Sequence, residues 1–300
     1  MAFLSILSLN IGCVSDDQAP SSQGDKPNIL LIITDDQGNG DVRFHGYPHL
    51  IPPTIDQLAT ESTRFTQFYV SPVCAPTRSS LMTGRYSLRT GVWDTYNGGA
   101  IMATEEKTMA EYFSEAGYTT GLFGKWHLGD NYPFRPIDQG FDVEVRHEGG
   151  GIGQVGNIFN YFRFDSSYFD PMLLHNGTYE QYEGYCSDIF ADEALRFIEE
   201  NKDGPFFTYL SFNAPHTPLQ LPQRYMDMYD TVELNSNHYR EIGYPIGGID
   251  EASAKRVYGM VTNIDDNLSK LFSRMKELGV YDNTIIIFIS DNCPQQRGDM

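Results

Sequence analysis

Two short, continuous apolar runs constrain the fold of this chain more than any other feature. Residues 27–34 read Pro-Asn-Ile-Leu-Leu-Ile-Ile-Thr, and residues 284–290 read Thr-Ile-Ile-Ile-Phe-Ile-Ser. A run of this length that is rich in β-branched residues and lacks alternating polar residues is typical of a strand buried on both faces. Both runs therefore predict buried strands of a parallel sheet.

Segments with helical and strand patterns alternate between these two runs. Further strands are predicted over residues 118–123 and 206–212. Helices are predicted over residues 54–62, opened by a capping box at Thr54, over residues 105–116, after an N-cap at Ser187, and over residues 251–278. The alternation favours an α/β fold with a mainly parallel sheet and helices on both faces.

Polar residues follow four of the predicted strands at the point where each strand ends. They are Asp35-Asp36, Lys125 with His127, His216, and Asp291-Asn292. Ligand sites in open α/β sheets form at the carboxyl edge of the strands. We therefore expect these four clusters, which are far apart in the chain, to meet at one edge of the sheet.

Two of the clusters carry hard oxygen ligands, namely Asp35-Asp36 and Asp291-Asn292. An isolated Asp-Asp pair is more often a helix cap or a loop pair than a metal site. A second Asp-Asn pair after a second buried strand reverses that preference, because closely packed carboxylates repel unless a cation neutralises them. Oxygen ligands suit Ca²⁺ or Mg²⁺ better than zinc.

Cys74 begins the run Cys-Ala-Pro-Thr-Arg, which continues as Ser-Ser-Leu-Met-Thr-Gly-Arg to residue 85. The chain is predicted to be helical from Ser79 onward, which places Cys74 just before a helix N-terminus. Backbone N–H groups and the helix dipole favour an anion at such a position. A single cysteine is usually buried and inert, so only the full context of the run points to chemistry.

Four motifs in order resemble the type I formylglycine-dependent sulfatases, arylsulfatase-like members of the alkaline phosphatase superfamily. They are Asp-Asp-Gln-Gly at 35–38, the run at 74–85, Gly-Lys-Trp-His-Leu-Gly at 124–129, and Ser-Asp-Asn at 290–292. Ala-Pro-His-Thr-Pro at 214–218 is a weaker fifth motif. The resemblance covers residues 28–292 and implies an alkaline-phosphatase-like fold.

The resemblance also implies a role for each matched residue. Calcium, or alternatively magnesium, would be ligated by Asp35, Asp36, Asp291 and Asn292, and the formylglycine made from Cys74 would complete the metal site. Arg78 and Lys125 would hold the modified residue and the sulfate. His127 would assist the hydrated aldehyde, and His216 would bind the sulfate or protonate the leaving oxygen.

An aldehyde gives this type of enzyme a release step that a serine would lack. One hydroxyl of the hydrated aldehyde attacks sulfur while cations stabilise the charge on the sulfuryl oxygens. The second hydroxyl then loses its proton, which expels sulfate and restores the aldehyde. The implied partners are a sulfated saccharide or aryl sulfate as substrate and a maturation enzyme that oxidises Cys74.

Residues 1–26 predict a targeting segment ahead of a catalytic domain over residues 27–300. Residues 1–14 are apolar and contain Cys13, and residues 15–26 are polar. This order is typical of an export signal cleaved before a lipid-modified cysteine. It predicts a periplasmic or cell-surface protein, in one form an outer-membrane lipoprotein anchored at Cys13. No Lys or Arg precedes the apolar run and Asn10 is atypical, so a plain signal peptide or a misassigned start are alternatives.

Two departures from the family pattern bear on activity. Cys293 stands where family members usually have glycine, and the chain ends at Met300, shortly after the last metal motif. The family usually has a further substrate lysine and a smaller C-terminal domain beyond this point. We therefore expect a catalytic domain that is incomplete at its C-terminal end, with the C-terminal subdomain missing.

Three functional hypotheses follow, and composition narrows them. The net charge of −19 argues against nucleic acid as a partner, since nucleic-acid binding requires a basic surface. A sulfuric ester hydrolase is the leading hypothesis. The alternatives are a phosphatase or phosphonate monoester hydrolase of the same superfamily, and an inactive surface protein that binds sulfated glycans.

The His147 loop and the aromatic residues between 161 and 169 are candidate substrate contacts, although aromatic stretches more often pack in a core.

Overall fold

The computed structural model describes residues 26–45, 49–233, 251–292 and 294. Its centre is a seven-stranded sheet in the order β5-β4-β3-β2-β6-β1-β7. The strands are β1 Asn28–Thr34, β2 Thr119–Lys125, β3 Val143–His147, β4 Met172–His175, β5 Thr178–Gln181, β6 Phe206–Ser211 and β7 Thr284–Ser290. All neighbouring strands are parallel except the pairs β3–β4 and β4–β5. The predicted mainly parallel sheet is confirmed.

Helices cover both faces of this sheet, as the sequence predicted. They are α1 Pro53–Glu61, α2 Cys74–Thr83, α3 Met109–Glu115, α4 Cys186–Asn201, α5 Gln223–Asp227 and α6 Glu251–Glu277. Short 3₁₀ turns lie at Arg43–His45, Ser87–Arg89, Pro136–Asp138, Tyr161–Ser166 and Tyr281–Asn283. None of the helices in the described ranges is long and apolar enough to cross a bilayer.

The side chains of β1 alternate between two hydrophobic cores. Leu30 and Ile32 belong to a core that includes α4 and α6, whereas Ile29 and Leu31 belong to the core on the α2 and α3 face. All residues of β1 are buried. Complete burial of one such aliphatic side chain contributes about 1.5–3 kcal/mol, so β1 is held firmly and can present Asp35 at a defined place.

In the part of the chain that the structure describes, the last strand is not buried on both faces as predicted. β7 lies at an edge of the sheet and pairs with β1. Its residues Ile285 and Ile287 are 49% and 39% exposed, while Ile286 and Phe288 pack against the core beneath α4 and α6. An apolar run predicts the strand correctly, but its place within the sheet depends on pairings that the run does not encode.

Three predicted helix starts also require correction. α1 has no capping bond from Thr54; instead the carboxylate of Asp265, on α6, accepts hydrogen bonds from the backbone N–H groups of Thr54 and Ile55. α3 begins only at Met109, after a capping box between Thr108 and Glu111. α4 begins at Cys186 without a side-chain cap, so Ser187 does not have its predicted role. In the first case a tertiary contact replaces a local signal.

Some predictions fall on residues outside the described ranges. These are the export segment with Cys13, and Cys293 beside the metal motif.

Candidate active site

The structure brings the four polar clusters together at the carboxyl edge of β1, β2, β6 and β7. Asp35 and Asp36 follow β1, Lys125 ends β2, and Asp291 follows β7. The backbone N–H of Asp35 donates to the carbonyl of Ala214, and that of Asp291 donates to the carbonyl of Thr34. These bonds continue the parallel pairing beyond the strands and hold the clusters in register.

A fully buried group of two cations and two carboxylates forms the base of the site. Lys125 Nζ lies 2.7 Å from Asp35 Oδ2, and Arg78 Nη2 lies 2.8 Å from Asp291 Oδ2. Burial alone would lower the pKa of Lys125, but Asp35 and other acidic neighbours raise it above its ordinary value. Both cations therefore remain charged without contact with solvent, because each has a carboxylate partner.

Arg78 is oriented by β6 and β2 as well as by Asp291. Its Nη1 donates to Ser211 Oγ at 2.5 Å and to the carbonyl of Lys125 at 3.1 Å. Ser211 in turn donates to the same carbonyl at 2.7 Å. The sequence reasoning missed Ser211, although its position at the end of the strand that leads to His216 could have indicated it.

The carboxylates of Asp35, Asp36 and Asp291 fit a hard divalent cation, and His216 and Cys74 are the nitrogen and sulfur donors beside them. One ligand atom from each of Asp35, Asp36 and His216 lies within 4.8 Å of the others, and the same holds for Asp35, Cys74 and Asp291. Asp35 Oδ1 is buried and accepts no hydrogen bond from the described residues. Burial and the nearby Asp35 raise the pKa of Asp291 to about 6. A cation that takes up Asp35 Oδ1 would relieve this repulsion.

Asp36 and Asn292 connect the two ends of the proposed metal site. Asn292 Nδ2 donates to Asp36 Oδ1 at 2.5 Å, and the backbone N–H of Asp36 donates to Asp291 Oδ1 at 3.2 Å. The two motifs that the sequence matched at a separation of more than 250 residues are thus in direct contact.

Cys74 is the first residue of α2, whereas the sequence predicted the helix only from Ser79. Its Sγ lies 3.4 Å from His127 Nδ1. The other ring nitrogen, Nε2, lies 3.0 Å from the carbonyl of Thr95. A carbonyl can only accept, so Nε2 carries the proton and Nδ1 presents its lone pair to position 74.

Burial determines the charge state of both groups in this pair. It lowers the pKa of His127 well below its ordinary value, and the nearby Lys125 lowers it further. Burial also raises the pKa of the Cys74 thiol to about 11. The imidazole is therefore neutral and the unmodified thiol protonated at neutral pH, and His127 Nδ1 presents a proton acceptor to position 74.

His216 lies next to Asp36 at the cavity surface. Its Nδ1 lies 2.6 Å from the carbonyl of Thr217, so Nδ1 carries a proton and Nε2 points toward Asp36 Oδ2 at 3.6 Å. Gln154 Nε2 donates to the same Thr217 carbonyl at 3.1 Å. The structure thus places His216 near the proposed metal as well as near the cavity.

A cavity of about 870 Å³ opens above these groups. Its described lining residues are Asp36, Pro72, Val73, Cys74, Thr95, Tyr96, His127, Gly150, Gly153, Gln154, Val155, Tyr161, His216, Asn292 and Pro294. Arg78 and Lys125 lie beneath this surface and are fully buried. Their side chains therefore lie below the described cavity surface and not on it.

Two site residues adopt the left-handed backbone conformation that favours glycine. The φ angles of Asp36 and His127 are 61° and 62°. Non-glycine residues rarely adopt this conformation, and where they do the surrounding structure must hold them in it. Each lies two residues beyond the end of a strand, and both residues line the cavity.

The His147 loop and the aromatic stretch contribute only in part to this cavity. His147 itself is buried and does not line it, whereas Gly150 does. Gly150 packs so closely against His127 that a Cβ there would lie 2.7 Å from the ring. Tyr161 lines the cavity, but Tyr168 is a fully buried core residue. Thr95, Tyr96 and Gln154 are cavity residues that no sequence motif indicated.

Comparison with known proteins decides the family. The sulfatase family model matches residues 27–299.

The chain belongs to the sulfatase family. Among its curated relatives are Arylsulfatase J of Mus musculus and an ulvan-active sulfatase of Formosa agariphila. The first is 29% identical over 284 residues, covering 92% of this chain and 44% of that protein. The second is 32% identical over 281 residues, covering 89% of this chain and 50% of the relative. The sulfatase chain described here thus spans about half the length of the curated relatives it matches.

A solved structure shows the same fold. The structure of Ps i-CgsB in complex with k-i-k-neocarrahexaose superposes with a TM-score of 0.76 at 34% identity. The alignment covers 91% of this sulfatase chain and 60% of the other. The alkaline-phosphatase-like fold that the motifs implied is thereby confirmed.

Proposed function

We propose that this protein is a sulfuric ester hydrolase that releases sulfate from a sulfated carbohydrate. One observation carries the proposal. In a chain of the sulfatase family, Cys74 lies at the floor of a cavity, 3.4 Å from a neutral His127 and above two buried cation–carboxylate pairs. This arrangement combines a nucleophile position, a proton acceptor and two buried cationic side chains at one place.

The names of the relatives support a carbohydrate as substrate class. An ulvan-active sulfatase is 32% identical to this chain, and the solved relative Ps i-CgsB, 34% identical, holds a neocarrahexaose. The cavity of about 870 Å³ has room for a sugar residue next to Cys74. We therefore place saccharide sulfates ahead of small aryl sulfates as the natural substrates.

Two groups complete the proposed site. Asp35, Asp36, Asp291 and Asn292 would hold calcium, with magnesium as the alternative, and the cation would offset negative charge on the sulfuryl oxygens. A formylglycine made from Cys74 would supply, in its hydrated form, the hydroxyl that attacks sulfur.

The residues of the chain itself have distinct roles in this proposal. Arg78 and Lys125 balance the charges of their carboxylate partners Asp291 and Asp35, so that a bound divalent cation would leave the base of the site positive. His127 accepts a proton at Nδ1, since Thr95 fixes the proton on Nε2. His216 lies at the cavity surface with Nε2 toward Asp36, where it can contact the sulfate or the leaving oxygen.

We further propose that the protein acts in the periplasm or at the cell surface. The apolar residues 1–14 and the cysteine at position 13 motivate this location and a lipid anchor at Cys13. Metabolic labelling with a radioactive or clickable fatty acid should label the parent and not a Cys13→Ser variant. Equal labelling of both would exclude the anchor.

Two measurements test the activity. Mass spectrometry of the peptide containing position 74, from a host that has a formylglycine-generating enzyme, should show loss of the thiol and gain of the aldehyde. The same preparation should hydrolyse 4-nitrophenyl sulfate much faster than 4-nitrophenyl phosphate, and Cys74→Ala should be inactive. Unmodified Cys74 in an inactive protein would overturn the proposal, and faster phosphate hydrolysis would favour a phosphatase.

A further inference from the structure

The cavity has two sides that each carry an exposed tyrosine. The first side consists of Thr95 and Tyr96, and the second runs from Gly153 to Tyr161. Tyr96 is 63% exposed and Tyr161 is 46% exposed. Large aromatic surfaces of this kind beside a proposed catalytic site indicate a contact that forms only when a ligand is bound.

The first side is tied to His127. The carbonyl of Thr95 accepts the hydrogen bond from His127 Nε2 at 3.0 Å. The carbonyl of the next residue, Tyr96, accepts one from the backbone N–H of Gly99 at 2.9 Å, which closes a turn. The backbone at Thr95 and Tyr96 is therefore held beside the ring of His127.

The second side is tied to the segment of His216. Gln154 Nε2 donates to the carbonyl of Thr217, the same carbonyl that holds His216 Nδ1. The backbone N–H of Asn157 donates to the carbonyl of Gln154, and that of Tyr161 donates to the carbonyl of Asn157. Two consecutive backbone hydrogen bonds thus connect Tyr161 to Gln154 and, through it, to the other site histidine.

The cavity surface offers aromatic contact for a sugar ring. Tyr96 and Tyr161 are both among the described lining residues, which include no Lys or Arg. Part of the binding of the alcohol portion of a substrate can therefore come from aromatic surface. The faces of a pyranose ring carry C–H groups with slight positive charge, which match the negative π-face of a tyrosine.

We propose that Tyr96 and Tyr161 form the two sides of a subsite that binds the sugar ring carrying the sulfate ester. This inference rests on the proposed sulfatase activity and specifies its substrate as an ester whose sulfated ring contacts both tyrosines. The two tyrosines are specificity-determining residues, since they contact the ring and leave the sulfate to the base of the site.

Equilibrium binding separates contact with the ring from contact with the sulfate. We would measure dissociation constants by calorimetry in calcium-containing buffer, in the Cys74→Ala background so that no turnover occurs. The probes are galactose 6-sulfate, 4-nitrophenyl sulfate and inorganic sulfate. Tyr96→Ala and Tyr161→Ala should each weaken binding of both ring esters about tenfold and leave binding of inorganic sulfate within twofold.

Matched variants control for fold and for the hydroxyl group. Tyr96→Phe and Tyr161→Phe keep the ring face and should bind the esters like the Cys74→Ala background. Tyr86→Ala removes a tyrosine that is 84% exposed and is not among the described cavity residues. It should leave the dissociation constants of all three probes unchanged. Thermal unfolding of every variant would show that the fold is retained.

Two results would overturn the inference. One is that galactose 6-sulfate binds no more tightly than inorganic sulfate, and the other is that both alanine variants bind the ring esters normally. Failure of the proposed function looks different: the matured protein would release no sulfate from any ester, whatever its tyrosines bind. A matured protein that hydrolyses 4-nitrophenyl sulfate equally well with and without the tyrosines would refute only the subsite.

Discussion

Lys125 Nζ and Asp35 Oδ2 are 2.7 Å apart, and neither side chain has any contact with solvent. Each residue ends or follows a parallel strand, β2 and β1, and β6 lies between them in the sheet. The pair joins β2, which leads to His127, to β1, which leads to the proposed metal ligands Asp35 and Asp36. Because both side chains are fully buried, water does not reach the charge that remains when its partner is removed. Substitutions in this pair are therefore a sensitive test of the site.

Replacement of Lys125 by Met should strongly destabilise the protein. It leaves the buried carboxylate of Asp35 without its nearest cation, with Arg78 Nη2 still 3.8 Å away. Loss of one partner of a buried pair costs about 3–5 kcal/mol. Urea unfolding should show this loss in the free energy of unfolding. The double variant Lys125→Met/Asp35→Asn should recover part of it, because no charge is then left unpaired, but should remain inactive. Strictly additive losses in the cycle would contradict a direct coupling.

Calcium should stabilise the folded protein through the carboxylates at the sheet edge. A ligand at one hundred times its dissociation constant stabilises the folded state by about 2.7 kcal/mol, which a calcium titration of the melting temperature would detect. Asp36→Asn should lose most of this shift. Asp192→Asn, on an exposed aspartate of α4, is the matched control and should keep it. An undiminished shift in Asp36→Asn would place the calcium elsewhere.

A methyl group at position 150 should impair catalysis without unfolding the protein. An alanine Cβ there would lie 2.7 Å from Cε1 and 2.8 Å from Nε2 of His127, closer than atoms normally approach. The ring must shift away from Thr95 or from Cys74, and we expect kcat/KM to fall at least about tenfold. Gly204→Ala, where nothing lies within 4 Å, is the control. Equal activity of both variants would show that His127 tolerates the displacement.

The α1–α6 contact should depend on pH through Asp265. Burial raises the pKa of Asp265 to about 6, so below that value the folded state holds a proton that the unfolded state releases near 3.8. Its contribution to stability is therefore complete below about pH 4 and is lost as the pH rises through 6. The stability of the parent relative to Asp265→Asn should fall by on the order of 2 kcal/mol between pH 4.5 and 7.5.

Urea unfolding of both proteins at the two pH values measures this difference. Asp203→Asn, an exposed substitution beyond α4, reports the background change with pH. A stability difference that stays constant, or grows as the pH rises, would show that Asp265 is not protonated in the folded protein.

Much of the fold could be predicted from local patterns. The apolar runs predicted β1 and β7 almost to the residue, since β-branched runs of this length favour extended backbone. They did not predict that β1 is fully buried whereas β7 is partly exposed. Capping was predicted less well: Asp265 caps α1 across 210 residues of sequence. The sequence around α1 contains no signal for a capping residue this far away, so a local pattern could not predict it.

The sequence by itself determined which chemical groups are present and which strand ends carry them. It predicted that Asp35, Asp291 and Lys125 would converge, because parallel strands present their carboxyl ends at one edge. Only the tertiary structure decided the burial, charge state and tautomer of these groups. Packing buried Arg78 and Lys125 beneath the cavity, and a loop carbonyl at Thr95 set the proton on His127. Burial and hydrogen-bond partners depend on residues far away in the chain, and these control charge and tautomer more than residue type does.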